Sequence, residues 1–202
     1  MSVKILLYMC VLIFVTSSVN ALDYSTPAGL EYCTVCHGSQ LKGNANIGAP
    51  RLSDLPQWYV ERQLHNFKDG VRGAHSDDTF GAEMRQMVSH LSSHELTDIA
   101  AWVVKTSSSK PEPTIHADSE AGKALYQSCV ECHGENAEGN DSLGAPKLSG
   151  LNDWYLVTQL NHFRRDIRGN QSTDIYGQQM KAASKVLTSE EDVTNLATYI
   201  TQ

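Results

Sequence analysis

The 202-residue sequence predicts an all-α protein made of two tandem copies of one domain. Three observations predict it. Shifted by 96 positions, the chain falls on itself without a gap over most of its length. Apolar residues recur at steps of three and four in both copies, and no strand-like alternation competes with them.

The register is dense. Gly48-Ala49-Pro50 meets Gly144-Ala145-Pro146, Trp58-Tyr59 meets Trp154-Tyr155, and Gln63-Leu64 meets Gln159-Leu160. Phe67, Arg72-Gly73, Gly81, Met84 and Leu91 meet Phe163, Arg168-Gly169, Gly177, Met180 and Leu187. A one-residue shift then aligns Ile99-Ala100 with Leu196-Ala197 and Trp102 with Tyr199.

Taken in chain order, residues 1–21 form the first segment. Lys4 precedes an apolar run from Ile5 to Val15, a polar stretch and Val19-Asn20-Ala21. That is the pattern of a secretory signal peptide, with cleavage expected after Ala21. The run is too short to cross a bilayer, which takes ~20 residues.

The first copy is then residues 22–109. Val60, Leu64, Phe67 and Val71 predict an amphipathic helix, with Pro56 and Gly70 suited to its start and stop. Ser92 with Glu95 forms a capping box for a second helix that buries Leu96, Ile99, Ala100 and Val103. Thr106-Ser107-Ser108-Ser109-Lys110-Pro111-Glu112-Pro113 lacks apolar periodicity and reads as a linker, extending over about 106–118.

The second copy is residues 110–202. It opens with a helix over Ser119 to Ser128, followed by the counterpart amphipathic helix through Leu156, Leu160, Phe163 and Ile167. A capping box is expected at Thr188 with Glu191, leading a helix that buries Val193, Leu196, Ala197 and Ile200.

Loss of the leader removes one positive charge from the formal −7 and leaves −8. Both copies carry an acidic excess, which argues against a nucleic-acid partner and favours solubility and basic docking partners.

Four of the five cysteines lie in two CxxCH words, Cys33-Cys36-His37 and Cys129-Cys132-His133. A zinc site made from both pairs would leave the histidines without a role, and a thioredoxin-like pair would sit beside a βαβ pattern that is absent. Covalent haem attachment uses every residue: two thiols join the porphyrin and the adjacent imidazole coordinates the iron. Two words predict two haem c groups.

The duplication nominates the opposite ligand. Met84 follows Cys33 by 51 positions, and Met180 follows Cys129 by the same 51. Met87 aligns with Ala183 and cannot serve both copies, and none of His65, His75, His90, His94, His116 and His162 aligns with another. A thioether opposite histidine raises the reduction potential. The repeated Gly-Ala-Pro is either a simple turn or the segment that brings a carbonyl to the second imidazole nitrogen. Trp58, Tyr59 and Arg72, with their counterparts, either contact the cofactor or are explained by ordinary packing and solvation.

With CTVCHG, CVECHG, the repeated Gly-Ala-Pro, the WY…QL…F…RG segments and the paired methionines in place, the mature chain resembles the two-haem class I cytochromes c of the cytochrome c4 family. The resemblance implies two tandem class I cytochrome c domains, each wrapped around one covalently attached haem. His37 and Met84 would ligate one iron, and His133 and Met180 the other.

It also implies a periplasmic carrier of single electrons, not an enzyme. Its donor would be a membrane quinol-oxidising complex or a dehydrogenase, its acceptor a terminal oxidase or a reductase, and it could associate peripherally with the membrane. The alternative role in similar chains is the dihaem subunit of a periplasmic oxidoreductase such as a flavocytochrome c sulfide dehydrogenase. One departure is visible. Gly122 and Tyr126 of the opening helix meet Thr26 and Leu30 in the first copy, where a shorter or looser helix is expected.

Overall fold

The computed structural model describes residues 26–202, so the expected leader over 1–21 lies outside the described residues. Nine α-helices are found among them: α1 (Glu31–His37), α2 (Gln57–Lys68), α3 (Thr79–Val88), α4 (Ser93–Val103), α5 (Ser119–Tyr126), α6 (Val130–His133), α7 (Asp153–Arg164), α8 (Ile175–Ala183) and α9 (Glu190–Thr201). Two isolated bridges, Asn44 with Ala49 and Asn140 with Ala145, are the extended pairings among the described residues.

The apolar periodicity finds its faces. Val60, Leu64 and Phe67 of α2 pack on Leu96, Ile99, Ala100 and Val103 of α4. Leu156 and Leu160 of α7 pack on Val193, Leu196, Ala197 and Ile200 of α9. Val71 and Ile167 lie beyond the helix ends, because Gly70 at φ 69° and Asp166 at φ 62° reverse the chain first.

The capping boxes differ in one respect from the expectation. Ser92 and Glu95 cap α4 as expected, with the Glu95 amide donating to Ser92 Oγ at 3.3 Å and the Ser92 amide to Glu95 Oε2 at 2.7 Å. In the second copy the box is Ser189 with Asp192, not Thr188 with Glu191. The extra residue of that copy falls between Leu187 and the cap, at Thr188, which donates its amide and its hydroxyl to Asp192 Oδ2, at 2.7 and 2.9 Å.

The opening helices diverge as expected. In the second domain, Asp118 caps α5, which crosses α9 so closely that a Cβ on Gly122 would lie 2.1 Å from the Asn195 carbonyl oxygen. In the first domain, Pro27 and Gly29 (φ 88°) occupy the matching stretch, and helix begins only at Glu31. The segment between α4 and α5 has no regular structure and is strapped to both domains. Arg51 donates to Ser108 and Ser109, and buried Asp153 accepts from the Thr114 and Ile115 amides.

Candidate haem-binding sites

Each CxxCH word lies on a short helix that ends on a glycine. Cys33, Cys36 and His37 lie on α1 before Gly38 at φ 75°; Cys129 caps α6, which carries Cys132 and His133 before Gly134 at φ 79°. The loop that follows is built twice. Asn44 exchanges backbone hydrogen bonds with Ala49, and its side chain accepts from the Asn46 amide, closing a tight turn through Gly48. Asn140, Ser142, Gly144 and Ala145 repeat it.

Glycine is required at the tip on two counts. Gly48 has φ 64° and a Cβ there would sit 2.6 Å from the Phe80 ring; Gly144 has φ 65° and its Cβ would meet the Tyr176 ring at 2.3 Å. The turn delivers a proline carbonyl to each histidine. Pro50 O lies 2.7 Å from His37 Nδ1, and Pro146 O lies 2.8 Å from His133 Nδ1. A carbonyl can only accept, so Nδ1 carries the proton and Nε2 keeps its lone pair for a metal. Of the two meanings open for Gly-Ala-Pro, this is the orienting one.

Burial pushes both rings below the usual histidine pKa, against the opposing pull of the proline carbonyls. Each therefore favours the neutral form that coordinates. The described cysteines are all free. Burial pushes the Cys33 thiol up to about 11 and raises Cys129 as well. A thiol redox pair needs the opposite shift.

All eight residues nominated from the sequence line one continuous, largely apolar cavity of ≈ 530 Å³ that runs through both domains: Cys33, Cys36, His37 and Met84, and Cys129, Cys132, His133 and Met180. Met84 and Met180 are delivered by α3 and α8. Asp78 and Asp174 cap these helices through the Gly81 and Gly177 amides, at 2.9 and 2.8 Å. Both methionines are partly buried against the core, whereas Met87 is 37% exposed. Among the described residues no three of His, Cys, Asp and Glu are grouped to hold a metal ion by themselves.

Between the domains, two arginines and two glutamines form a pseudo-symmetric lattice. Gln63 Oε1 accepts from Arg72 at 3.1 Å and from Arg168 at 2.7 Å, while Gln159 Oε1 accepts from Arg72 at 2.9 Å and from Arg168 at 2.7 Å. Arg72 also donates to Tyr155 Oη, at 2.8 Å. Ordinary solvation does not describe these arginines, since both are buried at the cavity wall and Arg72 Nε has no hydrogen-bond partner among the described residues. Their positive charge is felt locally. Burial alone would raise the Tyr59 pKa, yet Arg168, Arg72 and Arg62 lower it on balance.

Arg62 and Asn152 are functional candidates that the internal repeat could not nominate, because their counterparts are Thr158 and Pro56. Arg62 crosses the interface to the Gly144 carbonyl at 2.7 Å and stacks on Tyr176, and Asn152 accepts from the Arg51 amide at 2.8 Å.

The family model described as "Cytochrome c" matches twice, over residues 30–107 and 119–202. Cytochrome c4 of Stutzerimonas stutzeri is 32% identical over 179 residues, 83% of this chain and 82% of that protein. The "Thiosulfate dehydrogenase electron acceptor" of Stutzerimonas stutzeri strain A1501 is 30% identical over 192 residues, 87% of this chain and 80% of that one. The crystal structure of reduced recombinant cytochrome c4 from Pseudomonas stutzeri superposes with a TM-score of 0.67 at 29% identity, covering 85% of this chain and 93% of that one. The chain belongs to the cytochrome c family, as a two-domain, electron-carrying cytochrome of the cytochrome c4 type.

Proposed function

We propose that the chain is a periplasmic carrier with two haem c groups, one in each of the domains 22–109 and 110–202, released from a leader over 1–21. In this reading Cys33 and Cys36 tether the first haem and Cys129 and Cys132 the second. His37 with Met84, and His133 with Met180, close the two irons. The group supplies a reversible one-electron change at iron, and the thioether favours its reduced state.

The observation that carries the reading is the duplicated proximal arrangement, in which Pro50 and Pro146 fix both imidazoles with Nε2 free beside a pair of thiols and a shared cavity. Two further features support the fit. The cavity wall is largely apolar, as a porphyrin face requires, and buried Arg72 and Arg168 have no carboxylate hydrogen-bonded to them among the described residues. Haem brings carboxylates.

The protein's own part would be to hold the imidazoles neutral and oriented, to supply His37 and Met84, and His133 and Met180, as ligands, and to exclude water from the bound group. Electrons would come from a quinol-oxidising complex or a dehydrogenase and pass to a terminal oxidase or a reductase. Carbon monoxide binding tests the closure. The reduced wild-type protein is expected to bind little, and Met180→Ala to bind one equivalent per chain. Ready binding by the wild type, or an unchanged spectrum in Met180→Ala, contradicts the assignment.

A further inference from the structure

The proximal peptides of the two domains are hydrogen-bonded on the histidine side in the same way and on the other side differently. The Pro50–Arg51 peptide accepts from His37 Nδ1 through its carbonyl at 2.7 Å and donates through its N–H to Asn152 Oδ1 at 2.8 Å. Asn152 belongs to the second domain. It stands at the N-cap of α7 but makes no capping bond there, so its buried side chain is committed to the neighbouring domain.

Space for it is kept by Gly43, where a Cβ would lie 2.6 Å from Asn152 Oδ1. In the second domain the Pro146–Lys147 peptide accepts from His133 at 2.8 Å. Asn152's counterpart is Pro56, which has no acceptor side chain, and among the described residues the Lys147 amide donates to no side chain.

An amide whose N–H is engaged becomes a stronger acceptor at its carbonyl, because the two dipoles polarise each other. We infer that Asn152 of the second domain acts as a positioning residue for the first iron site, polarising the Pro50–Arg51 peptide so that His37 becomes a more electron-rich ligand than His133. Such a ligand stabilises the oxidised over the reduced state, so Asn152 lowers the reduction potential of the first domain and makes the two domains unequal. The inference rests on the ligation proposed above.

The test uses the full-length, haem-loaded protein, with each site followed separately in an NMR-monitored redox titration. In Asn152→Leu, which removes the acceptor, the reduced-to-oxidised ratio of the first site at fixed ambient potential is expected to rise by a factor of about two to ten, from the strength of a polarised amide bond. The second site should not move. Asn152→Asp retains an acceptor and should not raise the first potential.

Two haems with normal ligation and both midpoints unmoved in Asn152→Leu would overturn the inference and leave the carrier reading standing. Equal shifts at both sites would overturn it too, since they would report a general loosening of the interface. A wild-type protein lacking haem, or lacking His37 as a ligand, overturns both. A measurement on the reduced wild type needs no variant: the His37 Nδ1–H resonance should lie downfield of that of His133, and coincidence of the two contradicts the inference.

Discussion

His37 and His133 show how much chemistry a single hydrogen bond sets. One proline carbonyl fixes the tautomer, aims the ring and leaves Nε2 as the donor, and burial removes the competing proton. The carbonyl is in place only because the turn before it can close, and that depends on Gly48 and Gly144. Gly48→Ala would force a side chain into left-handed backbone and into the Phe80 ring, at a cost of ~1–3 kcal/mol for the backbone alone. Denaturant unfolding of the haem-loaded variant should show that loss in the first domain, while the second keeps its wild-type midpoint.

At the scale of elements, the two copies differ most where they begin. α5 crosses α9 through Gly122, and among the described residues the first domain has no helix before Glu31. Gly122→Ala is therefore expected to destabilise the second domain by ~1–3 kcal/mol through overpacking. Amide exchange should quicken in α5 and α9 and stay unchanged in α4.

The helices that pack on protein were legible in the sequence. Leu64, Phe67, Leu96 and Ile99, and their counterparts, announce their faces by spacing. α3 and α8 were not, for a physical reason. Their apolar residues are few and divided: Met87, Ile175 and Tyr176 are exposed, Met84 and Met180 line the cavity, and Val88 at the end of α3 is buried in the core. Only the duplication picked out those methionines. The second capping box was misplaced by one residue because Thr188 and Ser189 are chemically alike, and only the backbone decides which one caps.

Across the whole molecule, the contacts between domains were the least legible. Gln63, Arg72, Gln159 and Arg168 repeat in sequence, but repetition does not say that each glutamine serves both arginines. The linker is likewise more constrained than its Ser/Pro composition suggests, since Asp153 holds Thr114 and Ile115. Burial works to raise the Asp153 pKa, but the amide donors outweigh it and bring it below the usual carboxylate range. Its contribution is complete above an unfolded carboxyl pKa of ~3.9 and is lost as pH falls through the lowered folded value. Limited proteolysis within residues 106–118 should accordingly be slow at neutral pH and quicken only in strong acid. In Asp153→Ala it should be fast throughout.

The central claim is that each domain encloses an iron porphyrin joined to the chain through sulfur. Intact mass measured under denaturing conditions, on protein made in a host able to attach haem, tests it most directly. The account predicts a polypeptide heavier by two haem groups, and by one when Cys129 and Cys132 are both replaced by alanine. A bare polypeptide mass, or cofactor that separates on denaturation, would contradict it.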